Sequence, residues 1–302
     1  MSSGNSSAEL RVITPQQTIR QQLHDMWNYR ELLGGLIRKE LKVKYKDSVL
    51  GFVWSLLNPA LYLGVYYFVF QVILGNGIPR FAIFILCGLL VWNFFSTAIA
   101  GSCGAVVANS SIVKKVAFPR EILALANTGA ALVHFFLQCI VLIIALVAFQ
   151  HAPAWTYVPL LPVGLVAVAL LAAGLGILLS AVNVKLRDTQ HLLELVILVW
   201  FWFTPIVYGY QLVAFKFWQH DIPAWIYRIN PVTPVVLAFQ RALYNDGLAT
   251  PTQQSDGLHI IPDESVLWYG SQLMLVIAFG IVFFLFALRV FGRMQADFAE
   301  EL

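Results

Sequence analysis

The sequence predicts an all-α integral membrane protein: six transmembrane helices, both termini cytoplasmic, an N-terminal amphipathic interface helix, and an external re-entrant or gate helix between spans five and six. Three observations predict it. Hydrophobic residues make up 59% of the 302 residues and the mean hydropathy is +0.75, whereas a soluble domain is usually about 45–50% apolar. Six stretches almost free of charge are each long enough, at about 1.5 Å per helical residue, to reach across or nearly across a hydrocarbon core of about 30 Å. Lys and Arg also fall unevenly on the two sides that those stretches define.

The elements follow in chain order. Residues 1–27 are polar and lack the apolar core and cleavage site of a signal peptide, so they are expected to form a loose cytoplasmic tail. In residues 28–50, Leu32, Leu33, Leu36, Ile37 and Leu41 recur at helical spacing, with Arg38, Lys39, Lys42, Lys44 and Lys46 largely on the other side. This is a basic amphipathic helix, expected to lie in the cytoplasmic interface with its lysines snorkelling toward anionic head groups. The transmembrane region, 51–288, contains spans at 51–74, 81–108, 122–150, 157–184, 192–214 and 265–288. The segment 289–302 is a second cytoplasmic tail. Of the 19 Lys and Arg residues, fifteen fall on the side of the termini and four on the other, which by the positive-inside rule makes the terminal side cytoplasmic.

Two passages interrupt this pattern. "NSSIVKKVAFPREI", after span two, gathers Lys114, Lys115, Arg120 and Glu121. Those charges cannot sit in hydrocarbon without a large penalty, so they must meet water or another protein. In the last external segment, 215–264, "NPVTPVVLAFQRALY" has an apolar run too short to span and two prolines that break a long helix. A re-entrant or surface helix is expected there, followed by the polar loop "NDGLATPTQQSDG".

Much chemistry is excluded or unsupported. No lysine follows a glycine, so a GxxxxGK[ST] phosphate loop is absent and the chain is not itself a P-loop ATPase. HExxH and GxSxG are also missing. Cys87, Cys103 and Cys139 lie in apolar blocks without CxxC or Cys/His spacing, which reads as inert thiols and no metal. Nucleic acid is not an expected partner, because the cations form short clusters between apolar blocks and not one basic face. Glu194 and His134 are the ionisable residues within the apolar stretches. Glu194 reads as an interfacial carboxylate near the cytoplasmic end of span five, and His134 as a histidine hydrogen-bonded across helices. Small residues, Gly101, Gly104 and the "AAGLG" ending at Gly176, allow close helix contact. Aromatic runs, "YYFVF" from Tyr66, "WNFF" from Trp92 and "WFWFTPIVYGY" from Trp200, fit interfacial belts and helix packing; Trp200 to Phe203, expected mid-span, also fits a surface on which sugar rings stack.

Four passages carry a resemblance. "KVKYKDSVLGFVWSLLNPAL", "IVKKVAFPREI", "VKLRDTQHLLELVILVWFWFTPIVY" and "NPVTPVVLAFQRALY" are similar, in this order, to the membrane subunits of ABC-2 type polysaccharide exporters, the permeases for O-antigens, capsules, teichoic acids and related wall polymers. The resemblance runs from about Tyr29 to the C-terminus, and "KKVAFPRE" is its most specific part. It implies a homodimer with two copies of a separate P-loop ABC ATPase. ATP and Mg would be held by that partner, and the cargo would be a lipid-linked polysaccharide in the bacterial plasma membrane.

Site residues carried over by the resemblance are as follows. A coupling helix at 111–118 would meet the ATPase, with Ser111, Val113, Lys114, Lys115, Phe118, Pro119, Arg120 and Glu121 in or beside it. Arg38, Lys42, Lys44 and Lys46 would contact a polyprenyl diphosphate at the cytoplasmic entrance, or else serve as a general anchor to anionic lipid. Asn230, Pro231 and Arg241 would form a gate, and Tyr62, Tyr66, Trp200 and Trp202, picked out by their aromatic rings and not by the resemblance, would line the polysaccharide path. Arg187 and Asp188, in the loop before span five, would form a structural ion pair or cap. The alternatives are an ABC-2 exporter of a lipid or drug, a proton-coupled flippase acting through Glu194, and a membrane enzyme acting on lipid-linked glycans.

Overall fold

A computed structural model describes residues 18–46, 48, 53–75, 77–245 and 260–301. No strand occurs among the described residues. Four helices are long and apolar enough to cross a membrane: α4 (Phe81–Ala108), α6 (Glu121–Ala148), α7 (Leu160–Lys185) and α11 (Val266–Met294). Their bounds match the expected spans two, three, four and six closely at most ends, although α11 continues six residues beyond 288.

α4 is the centre of the bundle. It is apolar all round, and a helix of that kind is buried on every face; 83% of its most apolar window is covered, against 28% in α11. It packs on α6 and α7, and α7 in turn packs along α11. Lipid tails are as apolar as leucine, so close packing and interhelical hydrogen bonds hold such a bundle together. The small residues singled out in the sequence act at these contacts. A Cβ on Gly176 would come within 2.6 Å of the Ser102 Cβ on α4, and one on Gly174 within 2.9 Å of Phe283 on α11. The Ser102 hydroxyl donates to the Ala124 carbonyl of α6 at 2.7 Å, a contact worth about 0.6 kcal/mol on average in membrane proteins. Cys87 and Cys103 are buried free thiols.

Expected spans one and five take other forms. Span one is α3 (Val53–Tyr66), which contains Pro59 and continues as π-helix over Tyr67–Ile73. Span five, expected at 192–214, is two helices: α8 (Thr189–Trp202) and α9 (Tyr210–Gln219). The break lies where Pro205 has no N–H to continue the ladder and disfavours helical backbone at Thr204. Fourteen residues rise about 21 Å, so the apolar run of span five is longer than its helix.

The N-terminal segment also departs from expectation. Residues 1–17 lie outside the described residues, but the rest of the supposed loose tail is helix α1 (Ile19–Asn28). Thr18 and Gln21 form its capping box, with Thr18 N donating to Gln21 Oε1 at 2.9 Å and Gln21 N to Thr18 Oγ1 at 3.4 Å. Gln22 is buried and donates to Glu121 Oε1 at 3.4 Å, at the start of α6. The amphipathic helix is α2 (Arg30–Tyr45). Its apolar face lies on protein: Leu36 is buried, and Ile37 Cδ1 would lie 2.5 Å from a Cβ on Gly129 of α6. Helix α12 (Phe298–Glu301) follows a 3₁₀ turn, Gln295–Asp297, and its Phe298 ring packs on Phe291 of α11. The two described ends of the chain therefore lie at one end of the bundle.

At the opposite end, helix α10 (Val232–Leu243) is buried from Val232 to Ala242 against α4 and α7, which makes it an internal helix and removes the surface alternative. Of the polar loop expected after it, residues 245–257, all but Asn245 lie outside the described residues. Its last turn is fastened through His151. The Arg80 guanidinium, a donor only, lies 2.7 Å from His151 Nδ1, so that nitrogen accepts and Nε2–H donates to the Tyr244 carbonyl at 2.6 Å. Burial first, and then the Arg80 charge, hold the His151 pKa below its ordinary value, against the opposing pull of the Tyr244 carbonyl. A depressed histidine favours the folded state fully above its unfolded pKa of about 6.5 and loses that contribution as pH falls toward the folded value. Thermal unfolding in detergent should therefore show Tm falling as the pH drops below about 6.5, and His151→Gln should flatten that part of the profile.

Candidate coupling face and aromatic path

The polar passage after α4 folds as one short helix, α5 (Ser110–Val113), at the end of the bundle that carries the two described ends of the chain. The helix expected over 111–118 is shorter than predicted: a turn follows at Lys114 and Lys115, held by Lys114 N donating to Ser110 O and Val116 N to Ile112 O, both at 3.0 Å. Proline at 119 stops any continuation. Val113 points inward and is buried, whereas Ser111, Lys114, Lys115 and Val116 are exposed. The result is a small cationic knuckle on an apolar root.

Its two flanks are fastened. Before it, Asn109 donates to the Ala105 carbonyl at 2.8 Å and accepts a hydrogen bond from Lys39 of α2. After it, Arg120 donates to the Gln295 carbonyl at 2.8 Å and lies over the Phe298 ring at 5.8 Å, while Glu121 is buried beneath. Phe118 and Pro119 are half-buried. A push on Lys114 and Lys115 would thus reach α2, α4, α6 and the C-terminal turn together. Lys39 was expected only to snorkel toward head groups with the other lysines of its face, and the long-range contact it makes with Asn109 is not visible in the sequence.

Arg38, Lys42, Lys44 and Lys46 are exposed along α2 and just beyond it. Lys44 alone reaches a polar cavity between α3, α4 and α6, and partial burial lowers its pKa from the ordinary value.

The aromatic residues picked out singly in the sequence meet in a line. Tyr62 stacks on Tyr66 at 6.4 Å and Tyr66 on Phe201 at 5.9 Å. Phe201 meets Trp92 at 5.7 Å, Trp92 meets Phe95 at 5.9 Å, and Phe95 meets Trp200 edge-on at 5.1 Å. Trp202 is exposed beside this line. Phe201 and Trp92 join the two clusters; Phe201 lies within the run Trp200 to Phe203 read as a stacking surface, whereas Trp92 was read only as part of an aromatic run. The tryptophans occupy the last turn of α8, ahead of its break. An open apolar groove of about 420 Å³ follows the same helix, lined by Leu195, Val196, Val199, Trp200, Phe203 and Asn230.

Asn230 ties the aromatic line to α10. Its Oδ1 accepts from Trp200 Nε1 at 2.9 Å and from Val232 N at 3.1 Å; its Nδ2 lies 3.1 Å from the Phe203 carbonyl and 3.0 Å from Thr204 Oγ1. Pro231 opens the helix, where a missing N–H costs nothing. At the other end of α10, Arg241 donates to Asp263 at 2.6 Å and sits 4.9 Å over the Tyr157 ring. Arg187 and Asp188 need a correction. Both are exposed, no ion pair joins them among the described residues, and Asp188 makes no side-chain cap to α8. The turn is closed instead by Thr189 Oγ1 donating to the Leu186 carbonyl at 2.6 Å.

The profile of the ABC-2 type transporter family matches residues 31–244. An O-antigen export system permease protein, RfbA, of Myxococcus xanthus is 29% identical over 280 residues, covering 93% of this chain and 98% of that protein. RfbA of Klebsiella pneumoniae is also 29% identical, over 272 residues, covering 90% and 95%. More distantly, the polysialic acid transport protein KpsM of Escherichia coli is 20% identical over 204 residues, covering 67% and 76%. With the matched region running from α2 through α10, the chain belongs to the ABC-2 type transporter family.

Proposed function

We propose that the chain is the permease subunit of an ATP-driven exporter that carries a polyprenyl-diphosphate-linked polysaccharide across the bacterial plasma membrane. The observation that carries this reading is the likeness, over nearly the whole of both chains, to permeases named for O-antigen export. Counting α3 with its π-helical extension and α8 beside the four long helices gives six spans, and the excess of Lys and Arg at the end of the termini makes that end cytoplasmic. The exposed Lys114 and Lys115 then face the cytoplasm, where two copies of a P-loop ABC ATPase would seat on them and hold the ATP and Mg that this chain has no motif to bind.

A second copy of the chain completes the channel. Glu194 is exposed on α8 among Leu192, Leu195, Leu198 and Val199, which are each more than half exposed. A carboxylate on such a face is costly against lipid, and a water-containing path between two copies removes that cost. The Tyr62 to Trp200 line would give the sugar chain faces to stack on. ATP binding draws the coupling knuckles together, shifts α4 and α6, and opens the path between copies. Deleting the gene should leave the polymer inside the cell: surface labelling by a polymer-specific antibody is lost and intracellular polymer rises. Unchanged surface polymer in the deletion strain would reject the proposal.

A further inference from the structure

Arg120 and Glu121 end the polar passage after α4, and unlike Lys114 and Lys115 neither is exposed. Each reaches the last long helix, α11, by its own route. The Arg120 guanidinium donates to the Gln295 carbonyl at 2.8 Å, in the turn that follows α11. Its face covers the ring of Phe298, which is fully buried and meets Phe291 of α11 edge-on at 5.3 Å. The Glu121 carboxylate accepts from Gln22 Nε2 at 3.4 Å, and the same nitrogen lies 3.5 Å from the Leu288 carbonyl of α11. A buried carboxylate is costly unless it is paired or hydrogen-bonded, which holds the Gln22 amide at this point. There is room for it because residue 292 is glycine: a Cβ there would collide with Gln22 Nε2.

These two links matter because of how α11 is packed. It lies along α7, with smaller contacts to α10 and α1, and makes no comparable contact with α4 or α6, the helices that the knuckle joins. Pro119 fixes φ just before Arg120, so a displacement of Lys114 and Lys115 passes into Arg120 and Glu121 with little slack. Gln22 and the turn from Gln295 to Phe298 both lie outside the residues matched by the family profile, 31–244. We propose that Arg120 and Glu121 are positioning residues that transmit and do not dock: through the C-terminal turn and through Gln22 they make α11 follow the knuckle when the ATPase moves it. One link is a charge-assisted hydrogen bond with a stacked ring, the other a buried amide, and each carries part of the motion. The inference rests on the export reading, since it needs an ATPase seated on the knuckle, and it adds that docking and transmission are separable.

The test uses Gly292→Ala, Arg120→Gln and the two combined, in the full-length chain expressed with its ATPase in the deletion strain. Alanine is the better helix former, and what it displaces is the free end of a flexible side chain, so Gly292→Ala opens the Gln22 link without unfolding α11. Four quantities are read: ATPase co-purified per chain, ATP turnover by the purified complex, Tm, and surface polymer per cell. All variants are expected to keep a full complement of ATPase, ATP turnover at or above that of wild type, and a Tm close to it. Surface polymer falls modestly in each single variant and at least about tenfold in the double, more than the product of the single effects, because parallel links cover for one another. Arg120→Lys, which keeps the charge and a donor, restores part of the export. Arg293→Gln, which removes an exposed charge beside Gly292, changes nothing. Normal export by the double variant, effects that merely multiply, loss of the ATPase from the complex, or a fall in Tm that accounts for the lost polymer would overturn the proposal. A wild-type chain that brings down no ATPase fails the export reading and this inference with it, whereas a wild type that does, beside a double variant that exports normally, fails this inference alone.

Discussion

The double substitution Lys114→Glu, Lys115→Glu is expected to abolish export while leaving the fold intact. Both side chains are exposed, and surface substitutions away from caps and buried networks usually change stability by about 0.5 kcal/mol or less. At a partner surface the same change is large, because like charges brought together at an interface cost several kcal/mol, which corresponds to roughly a hundredfold loss of affinity or more. A tagged wild-type chain should bring down a stoichiometric P-loop ATPase, and the variant should not, at unchanged Tm. An ATPase retained by the variant would mean that the knuckle is not the docking element. The argument depends on rigidity as well as charge. Val113 is rooted in the core, Asn109 is tied to Lys39, and Arg120 is tied to the C-terminal turn, so the charges are presented on a fixed mount.

How much of this was legible depends on which force set each element. Helices α4, α6, α7 and α11 were legible to within a few residues at most ends because hydrocarbon tolerates no backbone group left without a partner, and a long uncharged run has few structures open to it. The break after α8 was harder to see. The apolar run continues through Pro205 into α9, and composition does not register a missing N–H. Helix α1 carried its signal in Thr18 and Gln21, a capping box that polar composition concealed. Amphipathicity correctly indicated α2 but could not distinguish a helix on head groups from one laid on α6, since both need the same apolar stripe. The aromatic line depends on Phe201 meeting Tyr66 and Trp92, three residues from three separate segments. Packing between helices brings them together, and spacing within a helix says nothing of it. The cavity at Lys44, which Asn93 and Gln138 help to line, could have been suspected from those two, uncharged polar residues inside apolar stretches that a search for ionisable groups passes over.

Asn230 should prove the most sensitive single position at the junction of α8 and α10. One side chain occupies four groups there: the Trp200 indole N–H, the Phe203 carbonyl, the Thr204 hydroxyl and the Val232 N–H. Asn230→Leu keeps the number and branching of the side-chain heavy atoms and opens no cavity, so the loss comes chiefly from hydrogen bonds. At about 1 kcal/mol per bond, and more where a buried partner is left unsatisfied, destabilisation of about 4 kcal/mol is expected, with a clear fall in Tm. The graded controls follow from donor and acceptor count. Asn230→Asp keeps both acceptor contacts and loses the two made by Nδ2, so it should fall between wild type and leucine, whereas Trp200→Phe removes only the indole bond. If that order holds and export falls with the stability of the junction, Asn230 acts by locking the aromatic turn to α10. If Asn230→Leu loses export while Tm is unchanged, the same four contacts are not what holds the junction, and Asn230 must act on the cargo directly, since a side chain that contributes no stability can affect transport only through what passes it.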